Sequence, residues 1–177
     1  MLARGGKTLS HADEAIDAVR IAGHLTDNAR ESVRLVERLV EVGTHTDEGR
    51  TIIKRLADLS TYGPREGVVV LGRFKAEVGY MNYIEKANEM RAIYFNMPAS
   101  PGSNVWDALI KAGIDPWEVN RQFLDGDITR GDKFFVEADI NDILRNPKYA
   151  HTYLHRELEY LLSKGLKDIR YMDNGLY

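Results

Sequence analysis

The feature that most constrains the fold is a short apolar run, Val68-Val69-Val70-Leu71, which ends abruptly at Gly72-Arg73. Branched aliphatic residues favour β-structure, and a continuous apolar run of this length is typical of a strand buried on both faces. Helical spacing follows between residues 80 and 90, and a second short apolar run lies between 92 and 96. The order strand, helix, strand therefore predicts the beginning of an α/β layer.

The remainder of the chain continues this alternation. Asp115-Pro116 predicts the start of a helix, with Asp as the cap and Pro in the first turn. Residues 133–138 and 168–172 predict two more strands, and a helix is predicted over 150–163. The predicted fold class is α+β or α/β, with a helical N-terminal segment followed by a compact mixed domain that holds a small sheet of about four strands.

Residues 10–60 have a different pattern, with apolar positions at helical spacing and few aromatic residues. The pattern predicts three short helices, with stops at Gly23 and Gly43 and a cap at Thr46. Proline disfavours helix in the residue before it, so Tyr62-Gly63-Pro64 predicts a boundary. The predicted domains are a helical linker over residues 1–61 and a mixed domain over residues 62–177.

Composition narrows the class of protein. The chain of 177 residues has no cysteine, which excludes disulfides and thiolate metal sites. Its formal net charge is -3, and residues 62–177 contain 15 Lys and Arg against 17 Asp and Glu, so it lacks the basic bias of a protein that coats nucleic acid. No apolar run approaches the roughly 20 residues of a membrane span, and no secretory signal is predicted at the N-terminus.

Several short motifs lie between Val68 and Tyr177. They are Val70-Leu71-Gly72, Tyr83-Ile84-Glu85-Lys86-Ala87, Tyr94-Phe95, Trp106, Trp117-Glu118-Val119-Asn120, Phe123-Leu124, Arg130-Gly131-Asp132, Arg156-Glu157-Leu158-Glu159-Tyr160-Leu161 and Lys164-Gly165. As a set they resemble the C-terminal toxin domains of bacterial polymorphic toxins, which are the variable tips of RHS-repeat, filamentous haemagglutinin-like and contact-dependent inhibition proteins. The segment before Tyr62 is similar to the linker that precedes such tips.

This resemblance implies an effector domain of a larger secreted carrier protein, which acts in the cytoplasm of a rival cell and is neutralised by a cognate immunity protein. It implies no particular reaction, so three hypotheses stay open. The first is a nuclease that cleaves RNA without a metal or another cofactor. The alternative is an enzyme that acts on NAD or another nucleotide, as a glycohydrolase or ADP-ribosyltransferase. The third is a non-enzymatic interaction module.

Two candidate catalytic residues are Arg130 and Asp132, which flank Gly131 at a turn after a predicted helix. An arginine beside a carboxylate can contact a phosphate, although a solvated turn has the same pattern. Asn120 is a third candidate, because it lies one helical turn after Trp117 and a buried amide there needs partners. It is either a structural clamp or a substrate contact.

His155 and Glu157 complete the predicted catalytic set. His155 and Glu159 are four residues apart, so the carboxylate can orient the imidazole as a general base. His151 and His155 have the spacing of half a zinc site, but no third ligand motif accompanies them. The competing interpretation is a solvent-facing helix with ordinary ion pairs. We expect the cations to converge with Asn120 and Glu157 on a single concavity.

The predicted substrate-binding residues are Arg73, Lys75, Trp106, Trp117 and Arg156. Arg73 and Lys75 follow a predicted strand, at the edge where open α/β sheets bind phosphates. The two tryptophans can stack on a base, or they can simply belong to the core.

Asp125 and Asp127 flank Gly126 in a segment interpreted as a loop between helix and strand, where two carboxylates can share a divalent cation. Acidic loops are more often simply solvated, so no metal site and no cofactor are predicted.

Overall fold

A computed structural model describes residues 8–64, 67–73 and 82–172, with the backbone alone for residues 8–22, 24 and 25. This part of the chain has seven α-helices and three small sheets of two or three strands, so the fold is of the mixed α+β class, as predicted. The helices are α1 Thr8–Val42, α2 Asp47–Leu59, α3 Tyr83–Glu89, α4 Val105–Lys111, α5 Trp117–Arg130, α6 Ile140–Arg145 and α7 Tyr153–Ser163. The strands are β1 Thr61–Tyr62, β2 Val68–Leu71, β3 Tyr94–Phe95, β4 Ala99–Ser100, β5 Ser103–Asn104, β6 Lys133–Val136 and β7 Ile169–Tyr171.

The described residues fall into two compact units. One is drawn from Met1–Ile52 and Met97–Ile114, and the other from Ile53–Asn96 and Asp115–Tyr177. This division differs from the predicted one at Tyr62-Gly63-Pro64, which lies inside the second unit. The pairing of β1 with β3 accounts for that position, because it joins residues 61 and 62 to the sheet-forming part of the chain.

The first unit is built on α1, which packs against α4 and against the hairpin of β4 and β5. The structure corrects the prediction of two helices over residues 10–43, because α1 runs through Gly23 without a break. A glycine inside a helix costs only about 0.5–1 kcal/mol relative to alanine, which a helix of this length tolerates. Gly43 does end α1, in the left-handed conformation with φ 82°, and the Thr46 hydroxyl caps α2 by accepting a hydrogen bond from the Gly49 N–H at 2.9 Å.

The second unit contains a three-stranded parallel sheet in the order β2, β6, β7. Ile93 forms a parallel bridge to Val69 on the other side of β2, which adds the chain around β3 to this sheet. From β2 the chain therefore first goes to one side of the sheet and later returns to pair on the other side. The strand order reverses between β2 and β6, and in open α/β sheets this topological switch point is where ligands bind.

Helix α3 covers the sheet next to this reversal. Its N-terminus is fixed by a capping box, in which the Asn82 side chain accepts from the Ile84 N–H and Glu85 accepts from the Asn82 N–H. Tyr83 and Ala87 on its buried face pack in a core with Val70 and Met172. The predicted helix extends to Tyr80, which lies outside the described residues, as does the predicted turn at 173–175.

Two other helices differ from the prediction in ways that affect the candidate site. Asp125 and Asp127 belong to α5 rather than to a loop, because the helix continues to Arg130 and ends at Gly131 in the left-handed conformation. Helix α7 begins at Tyr153 instead of residue 150, because the Thr152 hydroxyl caps it by accepting from the His155 N–H. His151 therefore precedes α7, and the helical spacing with His155 is not realised. Among the described residues, no helix is long and apolar enough to cross a membrane.

The close packing around Gly72 gives a test of this fold. A Cβ atom at Gly72 would lie 2.2 Å from Tyr83 Cβ and 2.4 Å from Glu137 Cγ. We therefore expect Gly72→Ala to lower the free energy of unfolding by about 1–3 kcal/mol through overpacking, measured by urea denaturation. The control is Gly126→Ala in α5, where the nearest atom is 3.5 Å away and a gain of about 0.5–1 kcal/mol is expected. Equal stability of Gly72→Ala and wild type would contradict this packing.

Candidate functional site

The candidate site lies at the carboxyl ends of β2 and β6, where the strand order reverses. The first residues beyond these strands are Gly72 and Arg73 on one side and Glu137 on the other. Glu137 Oε1 accepts hydrogen bonds from the Arg73 backbone N–H at 3.0 Å and from Arg73 Nε at 3.4 Å. The Glu137 side chain is 5% exposed and that of Arg73 is 27% exposed, so the guanidinium remains accessible from solvent.

Tyr83 joins this group from the first turn of α3. Gly72 allows the approach, since any larger residue there would collide with Tyr83 and Glu137. The Tyr83 hydroxyl donates a hydrogen bond to the Phe95 carbonyl oxygen at 2.8 Å. Burial raises the pKa of Tyr83 well above its usual value, and the charges of Glu157, Tyr94 and Glu137 raise it further. Glu157 and Glu137 therefore both act electrostatically on this one hydroxyl.

Glu157 projects from α7 into the interior and is 5% exposed. Its Oε1 accepts a hydrogen bond from Asn120 Nδ2 of α5 at 2.8 Å. Burial raises the pKa of the Glu157 carboxyl group to about 7, although the hydrogen bond from Asn120 favours the ionised form and opposes this shift. A carboxyl group that titrates near neutral pH can both release and accept a proton, which suits general acid–base chemistry.

Asn120 is buried to the same degree as its partner, with 3% of its surface exposed. Its Oδ1 has no hydrogen-bond partner among the described residues. An unsatisfied buried acceptor costs about 1–3 kcal/mol. The pair therefore retains one buried acceptor without a donor among the described residues.

We call the five residues that are joined by these hydrogen bonds and by the charge effects on Tyr83 the switch-point cluster: Arg73, Tyr83, Asn120, Glu137 and Glu157. Three of them were predicted as site residues. Tyr83 and Glu137 were missed. Arg73 was predicted because ligands bind beyond the carboxyl ends of strands. The same rule applied to the predicted strand at 133–138 indicates Glu137. Tyr83 carried no such signal, because its spacing is that of a core residue.

Arg130 and Asp132 lie apart from the switch-point cluster. Ten residues of α5 separate Asn120 from Arg130, which corresponds to about 15 Å along the helix. The Arg130 guanidinium forms a close ion pair with Asp127 and also contacts Asp132, with Nη2 at 2.8 Å from Oδ2. The expected convergence of Arg130 with Asn120 and Glu157 is therefore wrong, because local pairing holds this arginine at the end of its helix.

Arg156 and Trp117 form a separate surface cluster with Asp115. The Arg156 guanidinium lies over the Trp117 ring at 4.5 Å and its Nη1 donates to Asp115 Oδ2 at 2.9 Å. Asp115 also accepts from the Trp117 backbone N–H at 2.9 Å. Trp117 is 6% exposed and is covered by its own neighbours, so its ring is not a free stacking platform for a base. Here the core interpretation of this tryptophan describes the structure better.

The other predicted residues lie elsewhere. His155 Nδ1 is 3.5 Å from Glu159 Oε2 on α7, which is the predicted pair, and it lies on a different helix face from Glu157. Trp106 is 38% exposed on α4 of the first unit. Lys75 lies outside the described residues. In the part of the chain described here, no group of three or more His, Asp or Glu side chains is arranged to hold a metal ion.

Comparisons with protein-family models, with curated proteins and with solved structures found no match to this chain.

The ionisation of Glu157 predicts a specific pH dependence of stability. Its pKa rises from 4.5 to about 7 on folding. The folded state therefore holds the proton to higher pH, and the contribution of Glu157 to stability is complete below about pH 4.5 and is lost as the pH rises to about 7. The loss amounts to roughly 3 kcal/mol. Because a glutamine cannot ionise, Glu157→Gln should gain roughly this amount relative to wild type between those pH values, measured by urea unfolding.

The matched control is Glu159→Gln, which alters a side chain on the same helix that is 63% exposed. It should follow the pH dependence of wild type. If the free energy of unfolding fell equally in wild type and Glu157→Gln as the pH rose, the raised pKa of a buried Glu157 carboxyl group would be contradicted.

Proposed function

We propose that this chain is the toxin domain of a bacterial polymorphic toxin and that its switch-point cluster acts on a small nucleotide such as NAD. The observation that carries the proposal is the buried Glu157 carboxyl group, which accepts a hydrogen bond from Asn120 at 2.8 Å and whose charge acts on Tyr83. A titratable group that burial tunes towards neutral pH is typical of an active site. Tyr83 lies against Gly72 at the topological switch point, and a site at such a point favours a nucleotide ligand.

The arrangement of cations favours a small nucleotide over RNA. Four arginines of the second unit are closely paired with a carboxylate, and these are Arg121, Arg130, Arg156 and Arg170. Arg73 is paired less closely, with its Nε at 3.4 Å from Glu137 Oε1. A polyanion would have to compete with these local pairs, whereas one or two phosphates need a single accessible guanidinium. Arg73 supplies such a group at the strand ends.

The proposed reaction is hydrolysis of the bond between ribose and base. The Glu157 carboxylate accepts a proton from water as the water oxygen bonds to the ribose carbon. The bond between that carbon and the base nitrogen breaks, and the electron pair leaves with the base. Asn120 orients the carboxylate through its N–H, and Arg73 contacts a phosphate. General base catalysis of this kind typically contributes about 10²–10⁴-fold.

Cleavage of RNA is the second candidate, and the same carboxyl group favours it. Metal-independent RNA cleavage needs an acid–base group that titrates near neutral pH and a cation for the developing phosphorane charge. Glu157 and Arg73 supply both chemical types. In either case the motifs from Val68 onward support an effector that a larger secreted carrier delivers into the cytoplasm of a rival cell and that an immunity protein neutralises.

The test is inducible expression of residues 1–177 in a bacterial cytoplasm, followed by measurements of growth, NAD content and RNA integrity in the same cells. We expect growth arrest with loss of NAD and intact RNA. Purified Glu157→Gln should consume NAD at least about 100-fold more slowly than wild type, because it keeps the shape but cannot accept the proton. Glu159→Gln should stay within about twofold of wild type, since its exposed carboxylate is not in the cluster.

Each alternative has a distinct outcome. Loss of RNA with intact NAD would replace the proposed substrate with the second candidate. A fully active Glu157→Gln protein would remove Glu157 from the reaction. Normal growth during production of the folded wild-type protein would contradict the toxin proposal and favour a non-enzymatic interaction module.

A further inference from the structure

Tyr149 does not belong to the switch-point cluster, but its ring contacts one member of it. The Arg73 guanidinium lies over the Tyr149 ring, with Cζ 5.7 Å from the ring centroid. This distance is within the roughly 6 Å over which a guanidinium and the face of an aromatic ring attract each other. Lys148 Nζ also lies over this ring at 4.4 Å. Of the two cations, Arg73 is the one that follows a strand of the parallel sheet.

The backbone around Tyr149 fixes the point from which its side chain starts. Tyr149 ends a single 3₁₀ turn, Pro147–Tyr149, between α6 and α7. Its N–H donates to the Asn146 carbonyl oxygen at 3.0 Å, and its own carbonyl oxygen accepts from both the N–H and the hydroxyl of Thr152 at 2.8 Å. Because the Thr152 hydroxyl also caps α7, this turn is tied to the helix that carries Glu157.

Two groups hold the Arg73 guanidinium and leave part of it unused. Glu137 Oε1 accepts from Arg73 Nε at 3.4 Å, and the Tyr149 ring lies against the guanidinium. Within the described part of the chain, the two Nη groups of Arg73 have no hydrogen-bond partner, and 27% of this side chain is exposed. The N–H groups on these atoms are the donors that match two oxygens of one phosphate.

A contact that holds an arginine in advance improves the binding of its ligand. An arginine side chain that is free to move loses conformational freedom when a ligand orders it, and this loss weakens binding. The hydrogen bond from Nε to Glu137 is long, so the ring of Tyr149 is the second contact that restricts the guanidinium.

We infer that Tyr149 is a positioning residue of the switch-point cluster, whose ring holds the Arg73 guanidinium so that its Nη groups bind a phosphate of the nucleotide. This inference rests on the proposed function, because it takes the ligand of the site to carry a phosphate.

The test is a double-mutant cycle on the binding of inorganic diphosphate to the full chain, followed by NMR of the backbone amides. Arg73→Gln should weaken binding about tenfold, because a hydrogen bond between charged groups is lost. Tyr149→Leu should weaken it about two- to fivefold, which is the usual strength of an exposed cation–π contact. In the Arg73→Gln background, Tyr149→Leu should have no further effect, since the ring then has no guanidinium to hold.

The matched control is Tyr149→Phe, which keeps the ring and removes only the hydroxyl. It should bind diphosphate within about twofold of wild type. If Tyr149→Leu fails to fold, Tyr149→Met serves in its place, since methionine is also apolar and has no ring. An equal loss from Tyr149→Leu with and without Arg73 would show that Tyr149 acts through the fold or through Lys148, and would overturn the inference. So would a loss of the same size in Tyr149→Phe, or the absence of diphosphate binding by wild type.

A kinetic measurement separates this inference from the proposed reaction. Tyr149→Leu should raise the KM for NAD about two- to fivefold and leave kcat within about twofold of wild type, because the contact serves bound substrate and transition state alike. A lower kcat with an unchanged KM would contradict the role of Tyr149 in binding. Diphosphate binding needs no turnover, so if wild type consumed no NAD but the cycle gave the expected result, the proposed reaction would fail and the role of Tyr149 would stand.

Discussion

The parallel pairing of β2 with β6 is the interaction on which the candidate active site depends. The register joins Val68 to Lys133 and Leu71 to Val136, so the two strands end side by side. Gly72 therefore follows one strand at the same level as Glu137 follows the other, and Glu137 is within hydrogen-bond reach of Arg73. A register shift of one residue would turn the side chains of β2 to the opposite face of the sheet. The site would then lose Arg73, Glu137 or both.

A buried carboxyl group at the contact of α5 and α7 is not what stability alone favours. Ionising Glu157 in the interior is unfavourable, which is why its pKa is raised to about 7. A leucine of similar volume would fill the same space without that cost, since burying apolar surface is favourable. A buried carboxyl group with a pKa near neutral pH, hydrogen-bonded to an amide, is instead suited to a reaction that transfers a proton. This contrast between stability and chemistry supports the proposed role of Glu157 and Asn120.

Helix α5 carries two buried polar side chains, Asn120 and Asp127. Asn120 and Asp127 are seven residues apart, which places them on the same face two turns from each other. Both are buried, and each has one oxygen that finds no hydrogen-bond partner in the described part of the chain, while the apolar Phe123 and Leu124 lie between them. Asn120 pairs with Glu157 of α7, whereas Asp127 pairs with Arg130 of its own helix.

The sequence alone determined most of the local structure of this protein. The four predicted sheet-forming segments, the Asp115-Pro116 helix start, the Thr46 cap and the stop at Gly43 all follow from short-range rules of propensity and capping. The prediction of a break at Gly23 was wrong. A single glycine ends a helix where its backbone adopts the left-handed conformation, which Gly43 does and Gly23 does not. The sequence also could not place residues 97–114 in the first unit, because their place there depends on contacts with α1, which is distant in the sequence.

Only the tertiary structure decided which polar residues come together. Asn120 and Glu157 were predicted as candidates from the sequence. Their 2.8 Å hydrogen bond, however, arises because α5 packs against α7 and brings together two residues 37 positions apart. Packing of the same two helices placed Arg156 on Trp117, whereas Arg130 is held by local pairing with Asp127 and Asp132. Strand order and register likewise result from long-range pairing that no local pattern encodes. Periodicity and capping act over one or two turns, whereas a site is made by residues that the folded chain brings together from distant positions.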